Sequence, residues 1–446
     1  VIRKIDSNKF SLTILKVTTF SRIRQKDLKE FDLNNQIYIL DPLDLELYHI
    51  YSPLDIERLY ESVIMPKRNS VKISSSYNFD KSSRKIDVVS LDISHGCTLK
   101  CSYCYLSAGY HKKEMMSKER FLEILKFLAK NNSSNVTFYF AGEGEPTLNF
   151  NLLKQIPKLC KEFGFENSHF EITTNGTLLS SSVIKFFEEE KFTVAISLDG
   201  DKENDSKRVF LNNTPSFPLV IKNILTLKKT RIKFACKATI MPENKNIVQM
   251  FTFFEDNEIP FYHGFATRAF NDSYLPQIED VNNNLKQQFS LLVDYYVSRI
   301  KNNKYVYARK LIEDIRRIQC KTTSYTGCSA GINSFYFNLK GDIYVCSSHN
   351  SCKELCVGNI HNGIDYEKID KHNFYPKEVD RYEKCKDCWL RHLCSGSCIA
   401  AKWLESKDTT IPSAYHCALN KVYWEAIIRI FIQIQPYIKN NVNFEG

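Results

Sequence analysis

Three cysteines stand within eight residues, Cys97-Thr-Leu-Lys-Cys101-Ser-Tyr-Cys104, spaced C-x3-C-x2-C. A short loop of this kind can wrap one iron–sulfur cube, because such clusters take thiolate ligands. Three thiolates hold three of four irons and leave the fourth open to a chelating molecule. Two other readings use the same residues. A zinc ion wants a fourth Cys or His at matching spacing, and His95, two residues before Cys97, is too cramped for that. A disulfide loop wants an oxidising compartment. The start of the chain, Val-Ile-Arg-Lys-Ile-Asp-Ser-Asn, has no apolar signal region, and no run approaches the length of a membrane helix. A cytoplasmic location without membrane partners is therefore expected, where thiols stay reduced.

A second cysteine region lies far downstream. Cys328 and Cys346 come first, then Cys385-x2-Cys388-x5-Cys394-x3-Cys398, and Cys417 after eighteen more residues. Cys385-x2-Cys388 alone would pass for half a zinc ribbon. Metal binding accounts for fifteen cysteines in a reducing compartment better than disulfides do. Cys160 and Cys236, in helix and strand patterns, read as buried thiols; Cys352 and Cys356 read as free loop thiols. The net charge of +10 reads as a solvated Lys-rich surface. No interleaved aromatic and basic patch marks a nucleic-acid partner.

The elements that must position these groups follow from periodicity. Strands are expected at 87–93, 136–140, 170–173, 192–197, 232–240 and 259–265. Helices are expected from an N-cap at Ser117, with Phe121, Ile124, Leu125, Leu128 and Ala129 inward, and near 150–163, 180–190, 217–229 and 244–256. This alternation implies an α/β fold with a parallel sheet and right-handed crossovers. Site residues belong at the C-terminal strand ends. Helices at 282–302 and 305–319 follow, then a hairpin turning at Lys340-Gly341 and a last helix near 419–435. Ahead of the core, 36–40 and 45–51 read as strands, 53–63 as a helix and 66–86 as a polar linker.

The triplet, with Tyr103 before its third cysteine, resembles the signature of the radical S-adenosylmethionine (SAM) superfamily. Gly144-Glu145-Pro146 is similar to that family's Gly-Gly-Glu-Pro motif, with Glu143 where the first glycine would stand and Gly142 one place earlier. Asn175-Gly176, Ser197-Leu-Asp199-Gly200 and Arg208 follow later strands in the family's order. The resemblance implies a partial (β/α)6 TIM-like barrel and a [4Fe-4S] cluster on Cys97, Cys101 and Cys104. It implies SAM chelated at the open iron and cleaved to a 5′-deoxyadenosyl radical. The SAM contacts it implies are Tyr103, Gly144, Glu145, Asn175, Ser197, Asp199 and Arg208, with Arg208 gripping the SAM carboxylate.

The downstream cysteines, with Gly341 ahead of Cys346, resemble a SPASM domain. That implies two auxiliary [4Fe-4S] clusters, three clusters in all. Cys328, Cys346 and Cys398 would hold the first, with Cys320 as the expected fourth ligand; Cys385, Cys388, Cys394 and Cys417 would hold the second. The expected division is a module at 1–80, a radical SAM core at 87–270, a helical bridge at 271–319, the SPASM domain at 320–420 and a C-terminal helix and tail at 421–446. The module resembles winged-helix-like leader-peptide recognition elements; an ordinary extension packed on the barrel is the equal alternative.

The function so implied is a peptide maturase installing a thioether or carbon–carbon crosslink. Its partners would be a precursor peptide with a leader and a flavodoxin- or ferredoxin-type reductant. The alternative is an anaerobic sulfatase-maturing enzyme forming formylglycine. Those enzymes begin almost at the triplet, whereas 96 residues precede Cys97 here. They also carry an aspartate base after the hairpin cysteine, where this chain has Ser347. His349 is then the candidate proton acceptor. An alternative of another class is a non-catalytic zinc scaffold that cleaves no SAM.

Overall fold

A computed structural model of the chain describes residues 3–4, 29–33, 36–41, 43–51, 59, 85–110, 112–131, 135–267, 275–324, 326–350, 352–374 and 378–438. The N-terminal part is an antiparallel meander of β1 (Lys29–Leu33), β2 (Gln36–Leu40) and β3 (Leu47–Ile50). The two-residue strand Arg3–Lys4 extends it beside β3. The alternate apolar residues Phe31, Tyr38, Leu40 and Leu47 are buried and join the main core. The strands expected near 36–40 and 45–51 are thus present, and β1 is an addition to them. The helix expected at 53–63 and the linker at 66–86 lie outside the described residues, save Leu59 and residues 85–86.

The core is a run of six parallel strands in chain order. They are β4 (Val88–Leu91), β5 (Thr137–Phe140), β6 (His169–Thr174), β7 (Thr193–Ser197), β8 (Phe234–Ile240) and β9 (Phe261–Phe265). Period-2 burial sets their register: Val89 and Leu91, Phe138 and Phe140, Val194 and Ile196, Cys236 and Ile240 are all buried. Helices α1 (Lys118–Lys130), α2 (Ile156–Glu162), α3 (Ser181–Glu189), α4 (Phe217–Leu227) and α5 (Ile247–Asp256) are the crossovers. Ser117 caps α1, its side chain accepting from Arg120 N at 3.1 Å. The buried stripe of α1 includes Phe127, whereas Ala129 is exposed. The single helix expected at 150–163 is divided into short turns and α2. Pro157 has no N–H to continue an earlier turn, so the helix restarts with Pro157 in its first turn.

On its other side β4 pairs in parallel with β10 (Ser334–Phe337), the first strand of the expected hairpin. The sheet then continues antiparallel through β11 (Asp342–Tyr344), β12 (Gly358–Asn359) and β13 (Gly363–Ile364). Gly341 supplies the positive φ of +80° that the hairpin turn needs. The order β9-β8-β7-β6-β5-β4-β10-β11-β12-β13 is an open sheet with no closed barrel. The cysteine-rich region is therefore hydrogen-bonded to the core as one continuous sheet.

Helices α6 (Lys286–Lys301), α7 (Arg309–Gln319), α8 (Ile399–Ser406) and α9 (Ala414–Ile438) complete the architecture. α9 starts five residues ahead of the expected 419, so Cys417 lies in its first turn. No helix among the described residues is long and apolar enough to cross a membrane.

Glu255 of α5 ties the core to α6. Its buried carboxylate accepts from Tyr296 Oη at 2.9 Å and from the backbone of Tyr307 and Ala308 at 2.9 and 3.2 Å, with Arg299 Nε at 3.2 Å. Removing the carboxylate leaves two N–H groups and the Tyr296 hydroxyl without this acceptor and leaves Arg299 with Asp256 as its carboxylate partner. Glu255→Ala is expected to destabilise the protein by about 3 kcal/mol, read as a lowered thermal midpoint; an unchanged midpoint would show that the network bears no load.

Candidate cofactor and metal-binding site

The cysteine loop leaves β4 through Asp92–Gly96 and is held by backbone contact with the loop after β5. Gly96 and Gly144 form a parallel bridge, and Glu145 N donates to Gly96 O at 3.0 Å. A Cβ on Gly144 would stand 2.2 Å from Ser94 O and 2.4 Å from Gly96 O. Only glycine lets the two loops approach so closely.

Glu145 is the brace beneath that contact. Its Oε1 accepts from Thr147 N at 3.1 Å, Thr147 Oγ1 at 2.6 Å and Thr174 Oγ1 at 2.6 Å; its Oε2 accepts from Asn175 N at 2.6 Å. Burial pushes the carboxyl pKa up, and these four donors pull against it. Asn175, at the end of β6, reaches back with Nδ2 to Cys97 Sγ at 3.3 Å and Thr98 Oγ1 at 2.9 Å.

Tyr103, Asp199 and Arg208 converge on the other side. Arg208 donates through Nε to Asp199 Oδ2 at 2.8 Å and through Nη2 to Oδ1 at 3.3 Å. Tyr103 Oη donates to the same carboxylate, and Thr239 N donates to it at 2.8 Å. Arg208 Nη1 is 3.9 Å from Cys101 Sγ, and the guanidinium carbon is 5.4 Å from the Tyr103 ring centroid. The arginine expected to grip a ligand carboxylate is thus engaged by Asp199 and reaches the cysteine loop. Burial pushes neighbouring Asp205 up to about 8 despite Arg208. Ser197 sits half-buried at the end of β7, in register with Lys237.

Glu143, the departure from the family motif, has a local partner. His95 Nε2 lies 2.6 Å from Asp92 Oδ2 and 3.3 Å from Glu143 Oε2. Burial works against the imidazolium, but the Asp92 hydrogen bond and the charges of Asp92, Glu143 and Glu114 raise the His95 pKa overall. Gly142 supplies the room: a Cβ there would lie 2.7 Å from Asp92 Oδ1.

The cysteines fall into three sets. Cys97 and Cys101 each feel the charge of Cys104, and burial pushes Cys101 up to about 12. Cys328 feels Cys398, and Cys346 feels both. Cys385, Cys394 and Cys417 act on one another together with Cys388. These last four line a cavity of about 250 Å³. Cys320 is exposed at the end of α7, as Cys328 and Cys398 are in their own segments, and the charges acting on Cys328 are those of Cys398 and Lys402. Cys352 and Cys356 bond locally, to Glu354 Oε1 at 3.1 Å and Gly358 O at 3.2 Å.

A single zinc with thiolates at about 2.3 Å draws its sulfurs to within about 4 Å of each other. Among the described residues the trio whose ligand atoms all lie within 4.8 Å is Asp92, His95 and Glu143, not a cysteine set.

Three residues near these sets escaped sequence reasoning. Tyr105, next to Cys104, is hydrogen-bonded to the Ser347 side chain. Asp92 carries no motif. Lys402, 1% exposed, feels Cys385, Cys398, Cys394 and Cys328; burial lowers its pKa to about 8, and those sulfurs oppose the shift. His349 is fully enclosed, neither ring nitrogen has a hydrogen-bond partner, and burial lowers its pKa to about 4. It is not placed to take a proton from a bound peptide.

Residues 91–253 match the Radical SAM superfamily. The chain carries a Radical SAM domain. A cysteine-type anaerobic sulfatase-maturating enzyme of Clostridium novyi is 26% identical over 333 residues, covering 68% of this chain and 85% of its own. The structure of native anSMEcpe with bound AdoMet superposes with a TM-score of 0.66 at 22% identity, over 79% of this chain and 99% of that chain. Streptococcus suis SuiB bound to the precursor peptide SuiA superposes with a TM-score of 0.54 at 15% identity, over 88% of this chain and 99% of its own.

Gly144→Ala is expected to push the motif loop off the cysteine loop and weaken SAM binding at least tenfold, about 1.4 kcal/mol, in anaerobic equilibrium dialysis. Gly264→Ala, where a Cβ meets nothing within 4 Å, is the control and should bind as wild type. Equal binding by both variants would contradict the close-approach argument.

Proposed function

We propose that this protein is a radical SAM peptide maturase, acting on a ribosomally made precursor peptide to install a thioether or carbon–carbon crosslink. In this reading Cys97, Cys101 and Cys104 hold a SAM-binding [4Fe-4S] cluster. Cys328, Cys346 and Cys398 hold a first auxiliary cluster, and Cys385, Cys388, Cys394 and Cys417 a second. When bound, the first cluster and SAM supply a radical that removes a hydrogen atom from a substrate carbon. The chain's own residues orient that chemistry. Asn175 fixes the Cys97 sulfur, Gly144 lets backbone close on the ligand loop, and Asp199 holds Tyr103 and Arg208 beside Cys101.

The observation that carries the peptide reading is the N-terminal sheet seated on the cysteine-rich region. Phe31 of β1 meets Trp389 edge-on at 6.4 Å, and Lys29 Nζ lies 5.2 Å from that ring. Lys321 Nζ binds Glu46 Oε1 at 2.6 Å, and Arg429 Nη1 donates to Asp32 O at 3.2 Å. Trp389 directly follows Cys388. Among the described residues β1 ends the sheet, and a peptide can add to such an edge as a further strand. SuiB, crystallised with its precursor peptide, supports this, since it overlaps more of the chain than anSMEcpe does. Formylglycine formation is the second reading, favoured by the higher TM-score of anSMEcpe. Ser347, bonded to Tyr105, puts a hydroxyl where that chemistry would want a carboxylate.

Replacing Cys97, Cys101 and Cys104 together by Ala should abolish 5′-deoxyadenosine formation and lower bound iron from about twelve to about eight per chain. Continued cleavage would refute the assignment of the triplet. Replacing Glu30, exposed on β1, by Pro should weaken precursor-peptide binding at least tenfold, about 1.4 kcal/mol, and leave peptide-independent SAM cleavage nearly unchanged. Equal peptide affinity in this variant would remove the sheet edge from recognition.

A further inference from the structure

Lysine is almost never fully buried without a partner, yet Lys402 on α8 is 1% exposed. The charges that act on it are those of cysteine sulfurs, and an aromatic face lies beside it. Lys402 follows Cys398 by four residues, and its N–H donates to Cys398 O at 3.1 Å. The side chain therefore leaves α8 on the same face as that cysteine. Its Nζ stands 3.6 Å from the centroid of the Tyr382 ring, a cation–π contact. Gly396 makes room there, since a Cβ would lie 2.8 Å from the Tyr382 ring and 3.8 Å from Lys402 Nζ. The sulfurs acting on the ammonium come from both downstream sets: Cys328 and Cys398 from one, Cys385 and Cys394 from the other.

We propose that Lys402 is a shared electrostatic positioning residue whose ammonium, set between the two downstream cysteine sets, raises the reduction potentials of both auxiliary clusters. This rests on the reading of those sets as two cluster sites. Each one-electron reduction of a thiolate-bound cube adds one negative charge to it. A fixed cation in a low-dielectric surround stabilises the more negative state, and the stabilisation is larger than it would be in water. Two cubes that share one ammonium both become easier to reduce. They are then better acceptors for the electron left on a substrate after hydrogen-atom removal. Net charge and burial are among the protein's recognised levers on such potentials. The cubes in turn supply the negative charge that a buried ammonium requires.

The experiment uses the full chain, anaerobically reconstituted, in the Cys97/Cys101/Cys104→Ala background, so that only downstream clusters contribute. EPR-monitored redox titration is run with Lys402, Lys402→Met and Lys402→Arg, alongside iron analysis. Lys402→Met should make reduction of both clusters at least tenfold less favourable, about 59 mV lower for a one-electron couple, with iron unchanged. Lys402→Arg keeps the charge and should remain near the parent. Unchanged potentials in an iron-replete Met variant would overturn the proposal. Should the Met variant fail to hold iron, the Arg variant decides. Restored iron and parent-like potentials support the charge, and iron loss in Arg as well shows a packing role and overturns it. Absence of cluster signals in the parent with Lys402 intact would instead overturn the two-cluster reading.

Discussion

The buried carboxylate of Glu145 is the constraint on which the site depends. It gathers Thr147 from its own loop and Thr174 and Asn175 from the end of β6, while the backbone beside it closes on Gly96. Hydrogen bonds to a charged group contribute about 1.5–3 kcal/mol each, so the loops after β4, β5 and β6 are set as one unit. The cysteine triplet is tied to that unit, because Asn175, whose backbone Glu145 holds, reaches Cys97 with its side chain. A residue that the motif suggests as a ligand contact is, in this chain, first a structural brace.

The second constraint is the pairing of β4 with β10. It joins the downstream cysteine region to the core without a break in the sheet. Tyr105 and Ser347, one beside Cys104 and the other beside Cys346, meet across this join. The N-terminal meander packs on the far region through Phe31 and Trp389. Recognition, radical generation and electron acceptance, as proposed, would thus sit on one mechanically continuous scaffold.

Much of this was legible in the sequence because it depends on local pattern. The six core strands, the Ser117 cap and the Gly341 turn follow from period-2 burial, a hydroxyl before an apolar stripe and a positive φ. The split of the 150–163 helix is not legible in the apolar pattern, which runs on steadily across Pro157. What depends on distant partners was not legible. Glu143 looked like a defect in a glycine motif until His95 and Asp92 appeared beside it. Arg208 reads in the sequence as free to grip a ligand, but Asp199 engages it. His349 and Lys402 show the same limit, since nothing in their neighbours along the chain announces that both are buried.

The central claim is that three cysteines hold a cube and leave one iron for SAM. Mössbauer spectroscopy of iron-57-reconstituted protein, with and without SAM, tests it most directly. The account predicts that SAM changes the signal of about one iron in twelve, and that Gly144→Ala suppresses this change. A spectrum indifferent to SAM, in protein that holds its full iron, would contradict the account.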